Sequence, residues 1–163
     1  MTSIERICSG GQSGVDRAAL DAAIFLGIQY TGWCPLGGWA EDYLNSPGLL
    51  TKYPLLRETP SQAPEQRTEW NVKDSDATII LTFGKALDLS PGTCFTADTA
   101  EKLYKPYKII ALNEQDSFEK SVNWLQSFNK NILLNVAGPR ESESPDIYKI
   151  SYDFLISLLK IFT

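Results

Sequence analysis

Ser9-Gly10-Gly11-Gln12-Ser13-Gly14-Val15-Asp16-Arg17 lies between a β-prone run, Ile4-Glu5-Arg6-Ile7-Cys8, and a segment carrying Val15, Ala18, Ala19, Ala22 and Leu26 at helical spacing. Strand, glycine-rich turn and helix form the opening unit of a parallel α/β sheet. Glycines let the backbone turn with positive φ and pass close to a ligand, and the free amides of a helix start attract anions. The stretch therefore reads as a phosphate loop. Gly10, Gly11, Ser13 and Gly14 would donate their amides, with Gln12 and Arg17 in the same candidate site. The same residues also suit a plain tight turn with Ser13 as N-cap. No Gly-Lys-Ser/Thr follows, and the glycine spacing differs from the dinucleotide fingerprint, so neither of those phosphate motifs is present.

The rest of the chain repeats this alternation. Ile28 to Trp33 reads as a second strand, and Ala77 to Phe83 is a nearly continuous apolar run of the kind buried on both faces. Lys108 to Leu112 and Ile132 to Val136 supply two more strands. Helical patterns cover Thr93 to Tyr104, Ser117 to Phe128, and the Tyr152, Leu155, Ile156 and Leu159 stripe. The expectation is one domain over 1–163, a mostly parallel sheet covered on both faces. Pro35 to Pro64 is longer than usual connections and predicts a functional loop or a short helix.

Composition narrows the chemistry. With 15 basic and 20 acidic residues the net charge is −5, which opposes a broad grip on nucleic acid or an anionic membrane. No histidine occurs, so Ser-His-Asp and Cys-His catalysis and histidine-bound metals are excluded. Cys8, Cys34 and Cys94 lack zinc-type spacing and read as free thiols. No apolar run approaches the ~20 residues of a membrane span, and Met1-Thr2-Ser3-Ile4-Glu5 lacks a secretory pattern. A cytoplasmic protein is expected.

Two further segments join the glycine loop at the predicted carboxyl edge of the sheet. Ser90-Pro91-Gly92-Thr93-Cys94-Phe95-Thr96 precedes a helix, where Gly92 could offer an amide and Thr93 or Thr96 a hydroxyl, or where the residues merely cap. Asn135-Val136-Ala137-Gly138-Pro139-Arg140-Glu141-Ser142 leaves a strand, and Arg140 suits a bidentate phosphate contact. Asp74-Ser75-Asp76 could accept hydrogen bonds from a ribose or heterocycle, although a helix end followed by a surface turn is the favoured reading.

Taken in order, Gly10 to Asp21, Gly32-Trp33-Cys34-Pro35, Ala40-Glu41-Asp42, Tyr53-Pro54-Leu55, Glu58-Thr59, Arg67-Thr68-Glu69, Asn71-Val72, Asp74 to Thr78 and Asn135 to Arg140 resemble the molybdenum cofactor carrier family. The resemblance spans about Ser9 to Tyr148. It implies a Rossmann-like three-layer fold related to lysine-decarboxylase-like nucleotide-binding proteins, and non-covalent binding of molybdenum cofactor (molybdopterin) for storage, protection or transfer, by a homo-oligomer serving molybdoenzymes or cofactor-biosynthesis proteins. Gly11 to Gly14 and Gly92-Thr93 would then handle anionic groups, Arg140 and Ser142 would add contacts, and Asp74 to Asp76 would line the pocket. The metal would be held by the pterin dithiolene.

Two positions depart from the family pattern. Cys34-Pro35-Leu36-Gly37-Gly38 has Gly38 where an arginine is typical, and Pro145-Asp146-Ile147-Tyr148 has Asp146 where a glycine is typical. A nucleotide hydrolase is the rival expectation, with Glu41, Asp42, Glu58 or Glu69 as acids or bases; a nucleotide sensor is the third. Against the hydrolase, Ser90-Pro91-Gly92-Thr93-Cys94-Phe95-Thr96-Ala97-Asp98 lacks the extra glycines and glutamate of the Pro-Gly-Gly-x-Gly-Thr-x-x-Glu pattern.

Overall fold

The computed structural model describes residues 1–84 and 89–163. β1 (Ser3–Cys8) runs through the glycine loop into α1 (Val15–Leu26), followed by β2 (Gln29–Thr31), β3 (Trp33–Cys34), α2 (Leu49–Lys52) and β4 (Arg57–Glu58). Then come α3 (Pro64–Asp74), β5 (Ala77–Thr82), α4 (Pro91–Lys102), β6 (Tyr107–Ala111), α5 (Ser117–Gln126), β7 (Asn131–Ala137) and α6 (Ile147–Leu159). Five strands form one sheet in the order β2-β1-β7-β5-β6, with every pairing parallel. The fold is the expected Rossmann-like α/β type.

The position of β7 carries the functional consequence. Placed ahead of β1, β7 and α6 would give the order 3-2-1-4-5, the doubly wound arrangement. The chain ends permit such a rearrangement, because Ile4 N donates to Phe162 O at 3.0 Å. The strand order reverses between β7 and β5, so the ligand crevice of this topology falls beyond their carboxyl ends. Right-handed crossovers set α1 and α6 on one face, with α5 beside α6; α3 and α4 pack together on the other.

Side-chain size explains the packing. All six residues of β5 are buried, as a central strand covered on both faces requires. α1 turns Ala18, Ala19, Ala22 and Ala23 inward, and this thin stripe lets the helix lie close to the sheet and α6. The expected strand from Ile28 to Trp33 is cut at Gly32, whose backbone passes Ser9 O so closely that a Cβ would sit 1.9 Å from it. Gln29–Thr31 stays on the main sheet, whereas Trp33–Cys34 turns away to pair with β4. The long section after Pro35 contains α2 and folds over a second core of Leu20, Cys34, Leu49, Tyr53 and Leu56.

Gly14 is set by tertiary contact. It has φ 78°, and a Cβ there would lie 2.4 Å from Pro139 O and 2.8 Å from Glu141 N. Gly27 has a similar φ of 70° with nothing within 4 Å. Gly14→Ala is expected to cost about 3 kcal/mol and Gly27→Ala about 1 kcal/mol in urea unfolding. Equal losses would show that the loop contact does not constrain Gly14.

Candidate functional site

A cavity of about 550 Å³ opens at the switch point between β7 and β5. Gly10, Gln12 and Asp16 form one side, and Asn135 to Gly138 of β7 contribute the floor. Pro64, Arg67, Thr68 and Asn71 descend from α3 at spacings that place them on one helical face. Ser90, Gly92, Thr93 and Thr96 come from the start of α4, and Arg140 from the loop after β7.

Arg67 and Asp16 meet at the inner wall. Arg67 Nη1 donates to Gly10 O at 2.9 Å and approaches Asp16 Oδ2 at 3.4 Å. A Cβ at Gly10 would lie 2.2 Å from that same nitrogen, so the glycine makes room for an arginine. Gln12 N also donates to Asp16 Oδ2, at 3.3 Å. Burial pushes the Asp16 carboxyl up to about 6, more than Arg67, the Gln12 amide, Arg17 and Arg140 together pull it down.

The glycine-loop amides are largely engaged inside the protein. Gly11 N donates to Ser9 Oγ at 3.2 Å, Ser13 N to Gln12 Oε1 at 3.0 Å, and Val15 N to Pro139 O at 3.3 Å. Glu41 bridges the two loops: it accepts from Ser13 Oγ, from Ser142 N at 3.2 Å and from Ser142 Oγ at 2.5 Å. Desolvation alone would raise Glu41, but these hydrogen bonds hold its carboxyl below the usual range. Arg17 grips Asp42 with two 2.8 Å bonds and Gly11 O with two at 3.2 Å, its guanidinium 5.0 Å from the Tyr43 ring.

Six of the residues singled out from sequence therefore share the cavity: Gly10, Gln12, Gly92, Thr93, Thr96 and Arg140. Gly11, Ser13, Gly14, Arg17 and Ser142 sit beside it and join loops to one another. Asp74, Ser75 and Asp76 lie before β5, at the opposite edge of the sheet. Asp74 accepts from Trp33 Nε1 at 2.8 Å, Ser75 Oγ donates to Asn71 O at 2.7 Å, and Asp76 accepts from Leu133 N at 2.8 Å. Asp74 borders a smaller cleft of about 190 Å³ with Trp33 and Arg57.

Asp16, Arg67, Asn71 and Asn135 escaped the sequence reading as site residues. The 64, 67, 68, 71 spacing was a usable signal for α3. The two departures also acquire a physical account. Gly38 has φ 66°, and a Cβ would meet Pro47 O at 2.2 Å, so this backbone has no room for an arginine. Asp146 has φ 69°, a left-handed position that glycine fills most easily and aspartate tolerates. Its side chain is exposed and lines no part of the cavity.

The carboxylates considered for catalysis are placed away from the cavity. Glu41 and Asp42 are in the loop contacts above, and Glu58 accepts from Gly37 N at 2.7 Å. Cys8 Sγ donates to Asn71 Oδ1 at 3.2 Å, and burial pushes its thiol up to about 12 and that of Cys34 up to about 11. Among the described residues no group of three or more His, Cys, Asp or Glu could hold a metal ion. Among the described residues no helix is long and apolar enough to cross a membrane.

The parallel sheet and the cavity at its switch point place the fold in the Rossmann-like α/β class. The chain belongs to the circularly permutated YpsA SLOG family, whose model matches residues 7–159. The β2-β1-β7-β5-β6 order, which becomes 3-2-1-4-5 when β7 and α6 are placed first, agrees with the circular permutation in that family's description. The fold is similar to the crystal structure of a protein described as a putative molybdenum carrier protein from Syntrophus aciditrophicus SB. The two are 38% identical with a TM-score of 0.82, over 96% of this chain and 95% of that one. No curated protein matches the chain.

Asp16 gives this site a pH signature. A carboxyl raised from 3.8 to about 6 binds its proton more tightly in the folded state. Its contribution to stability is full below about pH 4 and is lost as pH rises through about 6, a change of roughly 3 kcal/mol. The stability of wild type relative to Asp16→Asn is expected to fall across that window, with an Asp16 carboxyl ¹³C midpoint near 6. A pH-independent difference would contradict the buried-carboxyl assignment.

Proposed function

We propose that this protein is a molybdenum cofactor carrier that holds molybdopterin non-covalently in the switch-point cavity for storage, protection or transfer. The observation that carries the reading is the cavity itself. Its 550 Å³ lies within the roughly 300–1,000 Å³ usual for small-molecule sites. Arg140 and the hydroxyl-rich start of α4 border the same space. The 38% identical relative described as a molybdenum carrier supports the same reading.

The donor set fits such cargo by chemistry. A phosphate suits Arg140 and the Gly92 amide region better than the engaged amides of the first loop, and at the same helix start Thr93 Oγ1 shares a hydrogen bond with Ser90 Oγ and Thr96 Oγ1 donates to Gly92 O. Phe95, Pro91 and Val136 offer apolar surface to a ring. The metal would come bound by the dithiolene of its pterin and would need no protein ligand. On this reading the chain acts in the cytoplasm as a homo-oligomer, exchanging its cargo with molybdoenzymes or cofactor-biosynthesis proteins.

A hydrolase acting on a nucleotide is the second reading, favoured by one observation: the carboxylates of Asp16, Glu65 and Glu143 line the cavity. Release of free base from nucleoside monophosphates would establish it. The carrier reading predicts that protein purified anaerobically from a cofactor-producing host shows a molybdopterin mass adduct in native mass spectrometry. Arg140→Ala is expected to reduce retention at least about tenfold, the loss of one charge-assisted contact. Absence of the adduct from wild-type protein would refute the carrier reading.

A further inference from the structure

The cavity wall carries a buried carboxylate, Asp16, beside Gln12, Arg67 and Asn135. Asp16 is 7% exposed, and its Oδ2 already takes Gln12 N and faces Arg67. No hydrogen bond from the described residues reaches Oδ1. Among the described residues, the fully enclosed side-chain polar atoms without partners are Arg67 Nε and Ser151 Oγ, so Asp16 Oδ1 opens to the cavity that Asp16 lines. Asn135, 3% exposed and on the floor, spends its Nδ2 on Thr78 Oγ1 at 3.2 Å, which leaves Oδ1 as a second acceptor.

Arg67 stands beside this wall with Nη1 committed to Gly10 O and Asp16 and Nε enclosed, while its Nη2 donates to none of the described residues. The cation toward the mouth is Arg140, with its Nε 2.9 Å from Glu143. The Asp16 carboxylate thus stands on the more buried side of the cavity, and Arg140 on the more exposed side with the start of α4.

We infer that Asp16 Oδ1, in the cavity that Asn135 also lines, is the specificity determinant for the donor edge of a 2-amino-4-oxopyrimidine ring, the edge shared by pterins and guanine. That edge carries a ring N–H beside an exocyclic amino group, both donors, and a buried carboxylate is their complement. Replacing the amino group by a carbonyl sets acceptor against acceptor, which a buried site rejects strongly. The phosphate of the same ligand then points to Arg140 and α4. This inference rests on the reading that the cavity holds a pterin phosphate, and it adds which part of the ligand is read and by what.

The test uses intact protein at pH 7 and two matched fluorescent rings, pterin and lumazine, which differ in the 2-amino group. Pterin is expected to bind at least about 30-fold more tightly, the discrimination of a hydrogen bond to a charged group. Asp16→Asn, checked for folding by thermal melting, is expected to bring the two within about threefold. Equal binding, a preference for lumazine, or no binding of pterin at millimolar concentration would overturn the inference; the wild-type comparison decides this even if the variant does not fold. If that happens while native mass spectrometry still finds molybdopterin, only the ring placement fails. If pterin is preferred but no cofactor is found, the carrier reading fails and the ring specificity stands.

Discussion

The buried Arg67–Asp16 contact is the constraint on which the rest of the site depends. It joins α3 to the first turn of α1, two elements that approach the sheet edge from different parts of the chain. Burying both charges is costly, and such pairs add little net stability once desolvation is counted. Their effect here is positional. With Nη1 on Gly10 O and the carboxylate on the Gln12 amide, α3 cannot move away from the glycine loop without stranding a charge. That fixed separation sets the inner wall of the cavity.

A second tie works at the rim. Glu41 collects Ser13 from one loop and Ser142 from another, while Asp42 is gripped by Arg17. The segment between β3 and α3 is thereby fastened over the start of α1. A helix start rich in glycine is built to meet an anion, and here the acceptors nearest to it belong to the protein: Ser9, Gln12, Asp16, Glu41 and Pro139. Arg140 and the start of α4 line the cavity at the strand-order reversal.

Elements with an apolar face were legible in the sequence. β5, β6 and β7 follow from their β-branched runs, and α1, α4, α5 and α6 from helical periodicity. Of α3 only its end, at Asp74 to Asp76, was read, because its buried residues are Arg67, Asn71 and Val72 and the rest of its signal was a polar stripe. β3 and β4 are two residues each and exist only because Gly32 turns the chain off the main sheet. Among candidate site residues, Gly92, Thr93, Thr96 and Arg140 were found from local strand-to-helix cues. Asp16 and Asn135 lie within the segments singled out, but their roles, like that of Asn71, were not read, since each makes a contact more than fifty positions away, at Arg67, Thr78 and Cys8 respectively.

The sequence by itself determined the alternation of strand and helix, the parallel character of the sheet, and the exclusion of histidine chemistry, because periodicity and composition act locally. Only the tertiary structure decided that β7 lies between β1 and β5, that the glycine loop spends its amides internally, and that Asp74 to Asp76 stand at the far edge of the sheet. Strand order and side-chain pairing are contests among distant segments for the same buried space. Their outcome is set by which charges and backbone groups can be satisfied together, a condition that no single stretch of the chain contains.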